Sequence, residues 1–234
     1  NLCNLRCRSC GHIFSSQWYQ DQAKLAGGDW KERNTVLNYA GRTETDIWEQ
    51  LEPHLDYVEQ IYFAGGEPLL MEEHYNILEE LVKRGRTDVR LIYNTNFTHT
   101  DLKGKSVFEY WKQFRSVAVG ASLDAMDQRA EYIRTGLDLQ TWEKNFHTYM
   151  SKTRCPITFM ITFNIFSVTS FKLLLEKFLE WSHGDSGRFS ADVCKEKMDS
   201  LSGQDCYSCE AFYGHSVHTV CSSCPHKEAR SNPL

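Results

Sequence analysis

The sequence lacks three features that would place it in other classes of protein. No stretch approaches the roughly 18 consecutive apolar residues of a transmembrane helix, so no membrane association is expected. No secretory signal peptide is recognisable at the start of the chain. No long basic run is present and the formal net charge is -5, which argues against a nucleic-acid-binding surface.

A disulfide framework is also missing, although cysteine itself is not. The 234 residues include nine cysteines, an odd number, and most of them fall into short clusters rather than being spread along the chain. This pattern fits metal ligation in a reducing compartment, so a cytoplasmic location is expected. Hydrophobic residues at 41% and charged residues at 24% are ordinary for a globular protein with one sizeable core.

The first ten residues place three cysteines, Cys3, Cys7 and Cys10, in one short C-x3-C-x2-C loop. Three thiolates at this spacing can bind one four-iron cluster and leave one of its irons without a protein ligand. Open coordination positions are where metal sites perform catalysis. A partial zinc site or three buried thiols would have the same spacing, so the loop favours a [4Fe-4S] cluster without establishing it.

A second motif follows about fifty residues later, where an apolar strand at residues 60–64 runs into Gly65, Gly66, Glu67 and Pro68. By itself it is equally compatible with a simple strand-to-helix turn. Together, the two motifs resemble the radical S-adenosylmethionine (SAM) enzymes over about residues 1–182. The resemblance implies that the cysteines hold a [4Fe-4S] cluster, that the amino and carboxylate groups of SAM chelate the open iron, and that the glycine-rich strand end contacts the SAM amino group.

Helical and strand patterns alternate along the chain. Strands are predicted at residues 61–64, 89–93, 117–123 and 157–166, and helices at residues 15–25, 71–83, 107–114, 139–149 and 170–181, with a further helix from about residue 43 that Pro53 interrupts. Such alternation indicates an α/β fold with a parallel sheet. The resemblance implies a partial, TIM-like (β/α)6 barrel. Its first strand, expected before Cys3, is predicted to be absent from this chain, and residues 188–193 match its last strand only weakly.

Polar residues follow the predicted strands, at the sheet edge where α/β proteins bind ligands. Asn94, Thr95 and Asn96 end the second strand, and Ser122 and Asp124 end the third, although Asx residues also cap turns. The resemblance implies that these residues line the SAM cavity, that the Arg134 guanidinium pairs with the SAM carboxylate, and that Asn164 binds the ribose or methionyl group. Arg134 is equally compatible with a solvated surface position.

One residue departs from the pattern of the family. Many members have an aromatic residue directly before the third cysteine, where this chain has Ser9. Adenine is then expected to pack against other apolar groups, for which Phe14 and Tyr62 are candidates.

The last fifty residues have a different composition, so the chain is divided into a core at residues 1–184 and a cysteine-rich tail at 185–234. Two C-x2-C pairs in the tail predict a second metal site, formed by Cys206, Cys209, Cys221 and Cys224. Four thiolates suit zinc and an auxiliary iron-sulfur cluster equally, and the tail does not match the SPASM spacing. Cys155 is expected to be a buried small hydrophobe rather than a ligand.

The leading hypothesis is a radical SAM enzyme that resembles SPASM- or twitch-containing members. The resemblance implies reductive cleavage of SAM to a 5'-deoxyadenosyl radical, a flavodoxin- or ferredoxin-type electron donor, and a peptide or small-molecule substrate, with peptides favoured. The alternative is a metal-binding structural or interaction module that keeps a degenerate barrel without turnover, which the missing first strand and Ser9 favour. A radical SAM enzyme acting on RNA is disfavoured by the negative net charge.

Overall fold

The computed structural model of the protein describes residues 2–25, 27 and 44–184, and describes residues 44–47 and 182–184 by their backbone alone. The chain divides into two compact units, Asn1–Leu174 and Leu175–Leu234. The first unit contains the cysteine loop and the sheet. Of the second, the described part is the end of one helix. The domain boundary near residue 184 stays a prediction, and the tail at residues 185–234 lies outside the described residues.

Short strands and helices alternate through the first unit. The strands are β1 Arg6–Cys7, β2 Gln60–Phe63, β3 Arg90–Thr95, β4 Asp101–Leu102, β5 Lys105–Ser106, β6 Ser116–Ser122, β7 Arg134–Thr135 and β8 Ile157–Met160. The helices are α1 Tyr19–Leu25, α2 Glu44–Leu51, α3 Glu72–Lys83, α4 Val107–Trp111, α5 Asp127–Ile133, α6 Leu139–Lys152 and α7 Phe171–Gly184. Every helix in the described ranges is too short or too polar to cross a membrane.

The four longer strands form one sheet in the order β2-β3-β6-β8, and all of its strand pairs are parallel. Each strand therefore lies beside the next sheet strand along the chain, and helices occupy the connections, as expected for successive βαβ units. The α/β class and the parallel sheet are confirmed. Within residues 2–25, 27 and 44–184, four of the six strands of the predicted barrel are present.

One face of the sheet is covered by helices. Side chains alternate between the two faces along a strand, so Leu91, Tyr93 and Thr95 of β3 share this buried face. The Tyr93 ring stacks on Phe63 at 5.0 Å and contacts Trp111 of α4 at 5.0 Å. Burial of each such large aromatic side chain contributes on the order of 2–3 kcal/mol. This layer fixes the positions of the strand ends.

The opposite face of the sheet is polar and partly exposed. It presents Tyr62 and Met160, which are 55% and 42% exposed, together with Asn94, Gly120 and Ser122. We call these five residues the open face. Pairing across the sheet brings Asn94 beside Gly120 and Ser122 beside Met160, so the five residues lie together.

The prediction of a strand over residues 157–166 is wrong beyond Met160. Residues 161–164 instead have no regular secondary structure and residues 165–167 form a turn, where the Asn164 side-chain oxygen accepts hydrogen bonds from the backbone N–H groups of Phe166 at 2.8 Å and Ser167 at 3.3 Å. The apolar alternation continues through this segment, but the asparagine side chain satisfies the backbone locally and competes with strand pairing. Helix α5 and the short pairs β1–β7 and β4–β5 were not predicted.

Candidate functional site

The cysteine loop is attached to the sheet by backbone hydrogen bonds to two distant segments. The Glu67 N–H donates to the Leu2 carbonyl at 2.6 Å, which joins the residue before Cys3 to the end of β2. On the other side, β1 pairs antiparallel with β7, so that Cys7 lies opposite Arg134. The indole N–H of Trp18 also donates to the Cys7 carbonyl at 3.1 Å. These contacts place the loop beside the carboxyl end of β2.

Two of the three thiols are buried, and Cys10 is half-buried. Burial raises the pKa of Cys3, and it raises the pKa of Cys7 to about 11 against the opposing charge of Arg134. Negative charge on Cys3 or Cys10 raises the pKa of Cys7 further, which reflects the proximity of the three thiols. A bound metal would overcome this cost because coordinating thiols lose their protons.

Donor groups point at two of the sulfurs. The Leu5 N–H donates to Cys3 Sγ at 3.4 Å, and Asn96 Nδ2 donates to the same sulfur at 3.8 Å. Arg134 donates to Cys7 Sγ at 3.8 Å. Donors to cysteine sulfur are a feature of iron-sulfur sites, where they help to set the reduction potential.

The arrangement of the three thiols is compatible with a four-iron cluster. In the ranges that the structure describes, no three His, Cys, Asp or Glu side chains are grouped closely enough to hold one metal ion. A four-iron cluster binds its thiolates on separate irons, so its ligands need not converge on one point. Three neighbouring thiols, two of which accept hydrogen bonds at sulfur, are therefore compatible with a [4Fe-4S] cluster, in which Cys3, Cys7 and Cys10 would be the protein ligands.

The Gly65–Pro68 segment turns sharply after β2. Both glycines have positive φ, +83° at Gly65 and +58° at Gly66, a conformation that disfavours other residues. A Cβ at Gly65 would have open space around it, which leaves the backbone accessible from solvent. Pro68 is buried and begins the short helical turn that follows.

Glu67 is fully buried and acts as a structural anchor. Its carboxylate accepts hydrogen bonds from Asn96 N–H at 2.6 Å, Thr95 Oγ1 at 2.7 Å and Leu69 N–H at 3.1 Å. Burial raises its pKa to about 7, and the three donors oppose this shift. The side chain thus joins the end of β2 to the end of β3. Its position favours a role in shaping the site over direct contact with a ligand.

The end of β3 contributes two asparagines in different environments. Asn94 lies on the open face, where its Nδ2 donates to the Tyr62 hydroxyl at 2.5 Å. Asn96, the asparagine of the predicted Thr-Asn strand end, is buried and donates both to Cys3 Sγ and, at 2.8 Å, to Asn4 Oδ1. The Thr-Asn sequence after the strand was visible, but its connection to the cysteine loop depends on tertiary structure.

Burial differs among three of the predicted site residues, Ser122, Asp124 and Arg134. Ser122 is half-buried on the open face, whereas Asp124 is fully buried. Asp124 Oδ2 lies 2.8 Å from Arg134 Nε, and Asp124 Oδ1 accepts from Thr162 N–H at 2.7 Å. Arg134, only 9% exposed, is therefore directed at Cys7 and Asp124. This excludes the reading of Arg134 as a solvated surface residue.

Gly120 is a further residue that was missed. A Cβ there would lie 2.7 Å from Asn94 Oδ1 and 3.0 Å from Met160 Cγ, so only glycine lets these side chains cross the open face. A glycine in the middle of a β-strand is itself a sign of close approach. The predicted strand at residues 117–123 contains such a glycine at position 120, so the sequence already carried this signal.

The structure thus brings together the cysteine loop, Gly65–Pro68, Asn96, Asp124 and Arg134 through direct contacts, with Asn94 and Ser122 on the adjacent open face. Asn164 belongs to the turn after β8, where its hydrogen bonds are local. The predicted ligands Cys206, Cys209, Cys221 and Cys224 lie outside the described residues. Phe14 is 60% exposed and Tyr62 lies on the open face, so both remain candidates for packing against adenine.

Of the comparisons with known proteins, only the one with solved structures finds matches. No protein-family model matches this sequence, and no curated protein matches it. Six chains of solved structures do match. One is native anSMEcpe with bound AdoMet, which is 18% identical; the match covers 74% of this chain and 46% of that chain, with a TM-score of 0.49. The present chain thus spans less than half the length of that protein, and at this level of similarity the likeness assigns no role to individual residues.

Proposed function

We propose that the protein is a radical SAM enzyme, in which Cys3, Cys7 and Cys10 hold a [4Fe-4S] cluster beside the carboxyl end of β2. The observation that supports this most directly is the 2.6 Å hydrogen bond from Glu67 N–H to the Leu2 carbonyl. It connects the two motifs that together, rather than separately, resemble those of radical SAM enzymes. A chance pair of motifs would have no reason to meet in the fold.

When bound, such a cluster supplies one electron for reductive cleavage of SAM to methionine and a 5'-deoxyadenosyl radical, which abstracts hydrogen from a substrate. The residues of the chain itself bind SAM and orient it. The Gly65 backbone is proposed to meet the SAM amino group, because Gly65 is exposed and a Cβ there would meet nothing within 4 Å. The open face, with Asn94, Ser122 and Tyr62, provides polar groups and an aromatic ring for the nucleoside.

The substrate and the electron donor follow from the same proposal. A peptide or protein side chain is the proposed substrate class, with a small molecule as the second, and a flavodoxin or ferredoxin as the donor. The cysteine pairs of the tail are proposed to hold an auxiliary iron-sulfur cluster or a zinc ion, in the manner of a SPASM or twitch region.

The test is anaerobic reconstitution of the full chain with iron and sulfide. We expect a broad sulfur-to-iron charge-transfer absorption and, with dithionite as reductant, formation of 5'-deoxyadenosine and methionine from SAM. Cys7→Ala is expected to abolish SAM cleavage. Cys155→Ala, which removes a cysteine outside the loop, is the matched control and is expected to retain it.

Two results would overturn the proposal. The site assignment is wrong if the triple Cys3/Cys7/Cys10→Ala variant keeps all of its iron and its activity. Wild-type protein that holds the cluster but never cleaves SAM would instead support the degenerate metal-binding module.

A further inference from the structure

A buried ion pair lies directly against the cysteine loop. The Arg134 and Asp124 side chains are 10% and 0% exposed, and their charged atoms are 2.8 Å apart. Removing two charges from water costs several kcal/mol per ion, and their mutual attraction often only offsets that cost. A gain in stability is therefore a weak explanation for burying this pair. The groups that lie next to its charges offer another explanation.

Asp124 is held in place by two strand ends. The Leu123 N–H donates to the Met160 carbonyl at 3.1 Å, and Asp124 Oδ1 accepts from Thr162 N–H at 2.7 Å. The carboxylate thus has one oxygen fixed by backbone and the other free to pair with Arg134 Nε. The 2.8 Å contact is an ion pair without hydrogen-bond geometry, so it holds the positive charge of Arg134 beside the carboxylate without fixing the direction of an N–H group.

Arg134 directs another of its nitrogens at a predicted cluster ligand. Its Nη1 group donates to Cys7 Sγ at 3.8 Å, and the backbone of β7 pairs with β1 so that the two residues are opposite each other. The Arg8 N–H further fixes this register by donating to the Ile133 carbonyl at 2.8 Å. A guanidinium stays charged under all ordinary conditions, so the sulfur faces a permanent positive charge.

We infer that Arg134 is a positioning residue that sets the local charge at Cys7, and that Asp124 moderates this charge, so that the pair together tunes the reduction potential of a cluster held by the loop. The inference rests on the proposed function, because it requires the cluster. Reduction adds negative charge, which a nearby cation stabilises and a nearby anion destabilises. Hydrogen bonds to sulfur and local charge are recognised determinants of cluster potential.

This role differs from the one that the family resemblance implied, in which Arg134 pairs with the SAM carboxylate. With Nε 2.8 Å from Asp124 and Nη1 3.8 Å from Cys7 Sγ, the guanidinium already has two partners. The two roles predict different experimental results. A tuning role alters the potential in the absence of SAM, whereas a SAM-binding role alters the affinity for SAM.

The experiment compares four anaerobically reconstituted proteins by redox titration monitored by electron paramagnetic resonance without SAM, and by SAM binding. They are the wild type, Asp124→Asn, the double variant Asp124→Asn/Arg134→Gln, and Lys112→Gln. Asparagine keeps the acceptor for Thr162 N–H, and the double variant leaves no unpaired buried charge. Lys112→Gln is the matched loss of one positive charge, from a lysine that pairs with Glu109 on α4.

We expect Asp124→Asn to raise the potential above that of the wild type and the double variant to lower it below, while Lys112→Gln leaves it unchanged. Affinity for SAM should change less than twofold across the series. A merely structural role would not shift the potential in opposite directions. Equal potentials in all four proteins overturn the inference, as does a tenfold loss of SAM affinity in the double variant at constant potential. If the wild type forms no cluster, the proposed function fails as well, and this result is distinct from a cluster of unaltered potential.

Discussion

The backbone N–H of Glu67 donates a 2.6 Å hydrogen bond to the carbonyl of Leu2, the residue before the first cysteine of the loop. The Glu67 carboxylate meanwhile accepts from Thr95 and Asn96 at the end of β3. One residue thus connects the cysteine loop, the glycine-rich turn and the next strand. A substitution of Glu67 or of a neighbouring residue should therefore alter all three segments of the site together.

Gly66→Ala is expected to weaken SAM binding. The alanine must adopt the φ of +58° found at Gly66, at a cost of about 1 kcal/mol, and it places a methyl group where the backbone would approach the ligand. Gly85→Ala is the control, because Gly85 has a φ of +72° beyond α3 and lies away from both motifs. Both variants should lose similar stability in urea, while calorimetry detects weaker SAM binding in Gly66→Ala alone. Equal SAM affinity in the two variants would refute the role of the glycine-rich turn.

Gly120→Ala is expected to disturb the open face. The new methyl group would lie 2.7 Å from Asn94 Oδ1 and 3.0 Å from Met160 Cγ, so at least one side chain must move. Overpacking of this kind typically costs about 1–3 kcal/mol. Gly11→Ala, where a Cβ meets nothing within 4 Å, is the control and should be nearly neutral. Chemical denaturation measures both, and a neutral Gly120→Ala would show that the Asn94 side chain adjusts freely.

Glu67 is expected to make stability fall as pH rises. Its folded pKa is raised to about 7 by burial, above the ordinary value of 4.5, so the folded state keeps a proton that the unfolded state releases. Between pH 4.5 and 7 the free energy of unfolding should decrease by roughly 3 kcal/mol through this group. The measurement is the pH dependence of the difference between wild type and Glu67→Gln. Glutamine cannot ionise, and its altered hydrogen bonding adds an offset that does not depend on pH. A difference that stays constant from pH 4.5 to 7 contradicts the expectation.

His74 is expected to have the opposite effect. Burial lowers its pKa from 6.5 to about 3, so the folded state excludes a proton that the unfolded state binds below pH 6.5. Its stabilising contribution should be fully present above pH 6.5, and about 2 kcal/mol of it should be lost by pH 5. His74→Leu removes the titrating ring and should flatten this part of the profile. Because Tyr93 loses its 3.0 Å partner at any pH, the slope rather than the absolute stability decides the result.

The tail can be tested by replacing Cys206 and Cys209 together, with Cys155→Ala as the control. The first cluster should survive because its ligands are separate in sequence, while elemental analysis should show loss of metal. Loss of about one zinc, with lower stability, indicates a structural site, since metal binding is coupled to folding. Loss of several irons, with impaired turnover, indicates an auxiliary cluster. A variant unchanged in metal, stability and turnover would show that these cysteines are not ligands.

Local patterns predicted most of the fold. The helix at Glu72–Lys83 was recognisable from its apolar spacing and from the glycine beyond its end, and β2, β3 and β6 from short apolar runs. The failure after Met160 has a physical cause. Ile161 and Phe163 continue the alternation of the strand, but Asn164 satisfies nearby backbone N–H groups and ends the pairing.

The separate motifs of the site were predicted from the sequence, but the contacts between them were not. The cysteines and the glycine-rich turn have recognisable spacings, whereas the roles of Asn96, Asp124 and Glu67 depend on contacts between residues far apart in the chain. Arg134 was expected to face SAM, and the structure places it against a thiol and a carboxylate. No local signal distinguishes these partners, because both are set by the pairing of β1 with β7.

The pairing of β1 with β7 has a consequence for the synthesis of the chain on the ribosome. Cys7 and the Arg134 that covers it are 127 residues apart, so the loop leaves the ribosome long before its partner strand is made. At about 5–20 residues per second, the thiols of the nascent chain remain uncovered for roughly 6 to 25 s. Throughout this interval they are open to oxidants and to stray metal ions. A chain released before residue 135 would therefore expose the thiols of the loop without the strand that pairs with it.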